Sequence, residues 1–291
     1  MFGEIIRDDL VGLGIPYKGN KSGILKKLIY TMPKCEHFLD ACCGGGFVGY
    51  GMFALDRAKK ITMNDVYKPL IDLHKAILNR DVDFENLEWC SRERFKLALH
   101  QIENGRYKIE DVVYKYVYSF GNNGKTYIYA KEIEPVKKIK HDIIFGKTSK
   151  ERRLALNRLT SEVLKDNQIE SLERLERLER LERLERHKDK FHFMSEDLFK
   201  IDYTPYDLVY FDIPYEDTDK YEVAFDHKRF WEFFMDLKVK AFASSYKAPD
   251  FVPCIKEIEK RSSYSPINNK LKTIEKIYSN DSSKQGIYDF L

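Results

Sequence analysis

No apolar run in this 291-residue chain approaches the roughly 18–20 residues that a membrane-spanning helix requires. Its first ten residues mix acidic with apolar side chains and lack the segments of a secretory signal. The five cysteines (Cys35, Cys42, Cys43, Cys90 and Cys254) are odd in number and contain no CxxC pair, and adjacent Cys42 and Cys43 have the wrong spacing for a zinc knuckle. They are read as reduced, buried thiols. The histidines, His187 and His192 among them, form no metal-ligand pattern, so no metal is expected. The glycines from Gly44 to Gly49 are not read as a clean dinucleotide fingerprint, and Gly-x-x-x-x-Gly-Lys-Ser/Thr does not occur, which demotes hydride and phosphoryl transfer. No Ser–His–Asp or cysteine-nucleophile spacing is identifiable either. These absences predict a soluble, cytoplasmic protein without metal or disulfide.

Apolar material is ample: hydrophobic residues make up 43% and aromatics 14% of the chain. The formal net charge of +3 does not announce a nucleic-acid binder. Between Lys125 and Lys165, however, eleven Lys or Arg stand against five Asp or Glu, a local excess suited to phosphates or to a solvated surface.

Three blocks follow one another. From Gly14 to about Arg80 a glycine-rich loop precedes a strand–turn–helix pattern and a second strand. Residues 81–190 read as helical, basic and repetitive. Strand-like runs return at Phe191–Ser195, Asp207–Phe211, Lys240–Tyr246 and Thr273–Tyr278. This alternation predicts a Rossmann-like α/β core from residues 1–80 and 191–291, with a mainly helical insertion at 81–190. Inside the insertion, Leu-Glu-Arg occurs five times in succession from Leu172 to Arg186. Glu173 with Arg177 and Glu176 with Arg180 are helix-supporting pairs. Leucine at every third residue steps by about −60° around an α-helix and winds off any single stripe. A charged spacer helix over 171–186 is the expectation, and a coiled coil is not.

Chemistry concentrates at two strand ends. The segment His37–Gly49 is an apolar strand ending at Asp40, then Gly44, Gly45 and Gly46, which let the backbone turn tightly beside a cofactor. Ile61–Asp65 is a second strand ending in a carboxylate suited to a ribose diol. Asp207–Tyr215 then delivers Asp212, Ile213, Pro214 and Tyr215 to the carboxyl end of a strand, where open α/β sheets bind ligands. An exocyclic aromatic amine is a poor nucleophile because its lone pair is delocalised. A carboxylate (Asp212) and a main-chain carbonyl (Ile213) can each accept one of its N–H bonds and favour a pyramidal nitrogen. Pro214 biases residue 213 toward extended geometry, and Tyr215 offers a face for stacking an extruded base.

With these motifs in this order the chain resembles the Dam-like N6-adenine DNA methyltransferases, in particular the branch common in phages and prophages. Tyr17-Lys-Gly-Asn-Lys21 looks like that family's aromatic–x–Gly–Gly–Lys cofactor loop. The resemblance implies S-adenosylmethionine as donor and S-adenosylhomocysteine as product. It implies cofactor contacts from Tyr17, Lys21, Asp40, Gly44, Gly46, Asp65, Asp197 and Asp212. Double-stranded DNA is the implied partner, with no membrane and no obligate protein partner. Two departures stand out: Ile213 replaces the first proline of Asp-Pro-Pro-Tyr, and Asn20 replaces a glycine. Position 213 needs a main-chain carbonyl, so isoleucine is compatible with turnover. For DNA contacts, Asn122 and Asn123 are candidates to read adenine edges and Lys125 to touch phosphate, with Phe120 or Tyr127 filling the gap left by a flipped base. A polar hairpin is the plainer reading of that segment. Alternatives for the whole chain are transfer to cytosine N4 or to RNA amines, or binding of cofactor and DNA without turnover.

Overall fold

The computed structural model describes residues 13–84, 86–145, 170–215, 225–261 and 272–281. The chain divides into two compact units, one of residues 21–71 and the described part of 189–291, the other of residues 14–20 and the described part of 72–188. In chain order the elements are α1 (Leu25–Thr31), β1 (Cys35–Asp40), α2 (Phe47–Ala54), β2 (Ala58–Asn64), α3 (Lys68–Asn79), α4 (Arg92–Glu103), α5 (Ile109–Val117), α6 (Glu134–Phe145), α7 (Glu170–Leu181), β3 (Phe191–Met194), β4 (Leu208–Asp212), α8 (His227–Asp236), β5 (Lys240–Ser245), β6 (Cys254–Arg261) and β7 (Lys272–Ser279).

The first unit is built on a seven-stranded sheet in the order β3-β2-β1-β4-β5-β7-β6. The five strands β3, β2, β1, β4 and β5 pair in parallel in that order, whereas β7 runs antiparallel to both β5 and β6. Central strands of such a sheet are covered on both faces and read as continuous apolar runs. Strand β4 is an example, with Leu208, Val209, Tyr210 and Phe211 all buried. Helix α8 supplies part of that cover. Asp226 caps it by accepting the Arg229 N–H at 3.0 Å, and Phe230, Trp231 and Phe234 pack with Val209, Phe211 and Ala243. Ile213 is buried in the same cluster, so the side chain that departs from proline becomes core.

The four strand runs expected after residue 190 form within a residue or two of their anticipated limits. Strand β6 was not anticipated, because its Lys and Glu residues obscure the alternation. Such charges are common on an edge strand, where they discourage pairing with another sheet.

The second unit is helical, with an aromatic core. Ser91 caps α4 by accepting the Arg94 N–H at 3.1 Å. Trp89 stacks on Tyr129 at 5.7 Å and Tyr118 on Tyr127 at 6.4 Å. Two of the buried phenols are satisfied: Tyr127 donates to the Cys90 carbonyl and Tyr129 to Ser171 Oγ, each at 2.8 Å.

The Leu-Glu-Arg tract corrects the expectation that its leucines wind off any single stripe. Leu175, Leu178, Leu181 and Leu184 are all buried. Helix α7 ends at Leu181 and a 3₁₀ segment continues over Glu182–Lys190. The three buried leucines of the α-helical part, Leu175, Leu178 and Leu181, drift through only about 120°, no wider than an ordinary apolar face. Beyond Leu181 the helix has about three residues per turn, and a triplet repeat then keeps its leucines on one side. Arg174 in the first full repeat donates to the carbonyls of Val117 at 2.9 Å and Ser119 at 2.7 Å, tying the tract to the end of α5. Leu178→Ala should therefore destabilise the second unit by about 2–5 kcal/mol, which a spacer leucine would not. Thermal or urea unfolding followed by circular dichroism measures it, and a change within error would return the tract to solvent.

Candidate active site

The chain leaves β1 toward β2 and β3 on one side and returns through β4 on the other. The crevice between the carboxyl ends of β1 and β4 is thus the topological switch point, the general ligand position of open α/β sheets. Asp40 and Tyr210 are in register there, and the Ala41 N–H donates to the Tyr210 carbonyl at 2.9 Å. The glycine turn follows. Gly46, which begins α2, has φ +77°, a conformation glycine adopts without Cβ strain. Gly49 allows a close approach: a Cβ there would lie 3.2 Å from Met63 Cγ and 3.4 Å from Asp40 Oδ2. Its N–H donates to that same Asp40 oxygen at 3.0 Å.

Asp40 is buried, and its other oxygen, Oδ1, has no hydrogen-bond partner among the described residues. Burial pushes its carboxyl up to about 8, with Asp212 and Asp65 adding to the rise and the Gly49 N–H opposing it. A carboxyl raised in the folded state favours folding fully below its unfolded pKa, and that advantage is lost as pH rises through the folded value. Stability of the ligand-free protein should therefore fall between about pH 4 and pH 8. Asp40→Asn should flatten that slope, as thermal melts across the range would reveal; an unchanged slope in the variant would refute the assignment.

At the end of β2, Asp65 accepts the Gly44 N–H at 3.0 Å and the Tyr67 N–H at 2.9 Å, so it shapes the glycine turn from the neighbouring strand end. Burial raises its carboxyl, against those two bonds. Its neighbour Asn64, missed in the sequence, ties three strand ends together. It donates to the carbonyls of Ala41 and Glu196 at 2.9 and 3.0 Å and accepts the Glu196 N–H at 2.8 Å. Asp197 lies just beyond β3 and caps a short turn by accepting the Phe199 N–H at 3.1 Å.

At the end of β4, Lys21 Nζ donates to both Asp212 oxygens, at 2.6 and 2.7 Å, and to the Tyr215 hydroxyl at 2.8 Å. Lys21 is only 2% exposed, although its position at the end of a glycine-containing loop gives no hint of burial. Ser244 Oγ approaches Asp212 Oδ1 at 3.2 Å and shares a 2.7 Å bond with the Tyr210 hydroxyl. Burial pulls the Lys21 pKa down, but Asp212 and Glu275 outweigh it and hold the ammonium above its ordinary range. Burial raises the Asp212 carboxyl against the opposing pull of Lys21. Glu275 of β7, absent from the sequence reading, accepts a hydrogen bond from the Tyr215 hydroxyl and lies 3.7 Å from Lys21. A period-two reading of β7 places it in phase with buried Ile277, and that inward carboxylate was the available signal. Tyr246 packs against Tyr215 with centroids 4.3 Å apart.

The remaining predicted residues belong to the second unit. The Tyr17 ring lies 5.8 Å from Tyr116, and Asn20 Nδ2 reaches back to the Tyr17 carbonyl at 3.5 Å. Phe120, Asn122, Asn123 and Lys125 lie on a tight turn closed by the Ser119–Tyr127 bridge. Phe120 is 55% exposed. Tyr127 is buried, with Arg92 over its ring at 4.7 Å, which places it in the core and leaves Phe120 as the exposed aromatic. Asn123 Oδ1 accepts the N–H groups of Lys125 and Thr126 at 2.8 and 2.9 Å, the geometry of a turn-former. Residues 146–165 of the basic stretch lie outside the described residues.

A mostly parallel sheet of this order, with a glycine turn at its switch point and acids ending β1, β2 and β4, defines a Rossmann-like methyltransferase. The chain belongs to the D12 class of N6 adenine-specific DNA methyltransferases, whose family model matches residues 17–289. It transfers methyl groups from S-adenosylmethionine to adenine N6 in DNA. Among the described residues no helix is long and apolar enough to cross a membrane.

Proposed function

We propose that this enzyme methylates an adenine flipped out of double-stranded DNA, using the Asp212 carboxylate and the Ile213 carbonyl to activate the amine. The reading rests on Asp212, fixed at the carboxyl end of β4 by Lys21 and Ser244 with a quarter of its side chain still exposed. Carboxylate oxygens have more than one lone pair, so Asp212 can accept an amine N–H while bonded to Lys21. Pro214 holds the Ile213 carbonyl as the second acceptor. Tyr215, its hydroxyl tethered, presents its ring to the base.

The residues at the switch point fit S-adenosylmethionine. A buried Asp40 oxygen lacks a partner among the described residues and suits a cationic amine donor. The turn at Gly44 and Gly46 has no Cβ to keep a ligand away from the backbone. Asp65 has lone pairs left for a ribose diol, and Asp197 is placed for the adenine edge. Lys21 acts through Asp212, and Tyr17 belongs to the same cofactor loop in the chain. When bound, the cofactor supplies an electrophilic methyl on a sulfonium. Nothing in this chemistry calls for a metal, so dialysis against EDTA should leave activity unchanged.

The second unit carries the DNA contacts in this reading. Exposed Phe120 fills the vacated stack, Asn122 and Asn123 face base edges, and Lys125 meets a phosphate; Tyr127 supports the turn from within. A cytoplasmic location and action without a protein partner accompany the reading. Sequencing of modified bases in DNA from an expressing host would locate the methylated site. A duplex with 2-aminopurine at that adenine should then brighten on binding, as unstacked 2-aminopurine does. A dark complex with an otherwise active enzyme would sink the flipping step.

A further inference from the structure

We infer that Glu275 is a positioning residue for methyl transfer, acting through Tyr215 and Lys21 to keep Asp212 able to receive the target amine. The inference rests on the reading of Asp212 given above. Glu275 is fully buried, and its Oε2 has no hydrogen-bond partner among the described residues. A buried carboxylate with an oxygen left without a protein partner is unfavourable and calls for a reason.

Two requirements are visible. The Tyr215 hydroxyl accepts a hydrogen bond from Lys21 and donates its own proton to Glu275. That commits the phenolic proton and fixes the ring's rotation. Without Glu275, the carboxylate nearest to that proton would be Asp212, where it would compete with the incoming amine. The second requirement is charge. Among the described residues of the cluster one ammonium, Lys21, faces two carboxylates at 2.6 and 3.7 Å. Lys21 thus divides its charge between Asp212 and Glu275. A low-dielectric site amplifies the effect of such sharing.

The groups facing Glu275 are Lys21 from the turn before α1, Asp212 from β4, Tyr215 beyond it, and Tyr246 after β5. The charge of Glu275 raises the pKa values of Asp212, Lys21, Tyr215 and Tyr246 alike. Its removal should therefore move the acid limb of the rate profile, which reports ionisation of Asp212, toward lower pH.

The test is single-turnover methylation by the full-length enzyme, with DNA at the site mapped for the wild type. Glu275→Gln retains a carbonyl to accept the tyrosine hydroxyl but removes the charge. It should slow transfer by about tenfold or more, leave the KM for DNA within about twofold, and shift the acid limb downward. In Tyr215→Phe, which keeps the ring but not the tether, the further change Glu275→Gln should have a smaller effect than in the wild type, because only the charge route is then left to lose. Wild-type rate with an unshifted profile in Glu275→Gln would overturn the inference, as would full additivity of the two substitutions. Should Glu275→Gln fail to fold, Tyr215→Phe alone decides: a slowed rate with unchanged DNA KM supports the tether, and a wild-type rate overturns it. An inactive wild type, by contrast, would count against the proposed function and not against Glu275.

Discussion

Asp212→Ala is expected to eliminate detectable N6-methyladenine formation, a loss of at least about a hundredfold, while the purified protein keeps its fold. The substitution removes the acceptor that draws on the amine and the partner that holds Lys21 Nζ at 2.6 Å. The lysine keeps Glu275 at 3.7 Å and the Tyr215 hydroxyl at 2.8 Å, so its charge is not stranded and unfolding is not expected. Asp212→Asn is the sharper variant. It preserves shape and can accept one N–H bond, but it has lost the negative charge, so a large defect there isolates electrostatics from packing. Mass spectrometry of nucleosides after a timed reaction reads both variants. Retention of more than a few per cent of the wild-type rate in Asp212→Ala would remove Asp212 from the mechanism.

Lys21→Met should combine a stability defect with a pH-dependent rate defect. Breaking a buried ion pair from one side costs roughly 3–5 kcal/mol, because the remaining charge has neither water nor partner. Here two carboxylates, Asp212 and Glu275, lose the same cation. The wild-type ammonium is held above the ordinary lysine range, so its stabilising contribution is fully present at neutral pH and disappears only at strongly alkaline pH. In the variant the Asp212 carboxyl, already raised by burial, loses the group that pulled it down and should rise further. The acid limb of the rate profile then moves to higher pH, opposite to the shift expected for Glu275→Gln. Thermal melts at neutral pH and single-turnover rates across the pH range provide the two readings. A stable variant with a wild-type profile would show that Lys21 does not tune Asp212.

These opposite shifts separate two neighbours of one carboxylate, and the sequence announced only one of them. Lys21 was legible from its place in the Tyr17–Lys21 loop, and Asp212 from the apolar run that delivers it. Both motifs are local, and local chemistry can be read from spacing. Glu275 lies in a strand whose charges hide its inward phase, 63 residues beyond Asp212 in the chain. Nothing in its neighbours says that it meets a tyrosine hydroxyl. Asn64 was passed over for the same reason, since its partners at Ala41 and Glu196 are distant in sequence.

By itself the sequence determined the alternation of strands and helices, the glycine turn after β1 and the order of the acidic strand ends. These follow from apolar periodicity, from backbone conformations that favour glycine, and from motifs only a few residues long. Tertiary structure decided what depended on a partner elsewhere in the chain. It buried the leucines of the Leu-Glu-Arg tract: Leu175, Leu178 and Leu181 fit one face of the α-helix, and Leu184 stays with them because the helix tightens to three residues per turn after Leu181. It placed Tyr127 in an aromatic core and left Phe120 exposed. It brought β7 beside β5, and so set Glu275 within reach of Lys21 and Tyr215. Burial and charge pairing are properties of neighbours in space, and a linear pattern does not contain them.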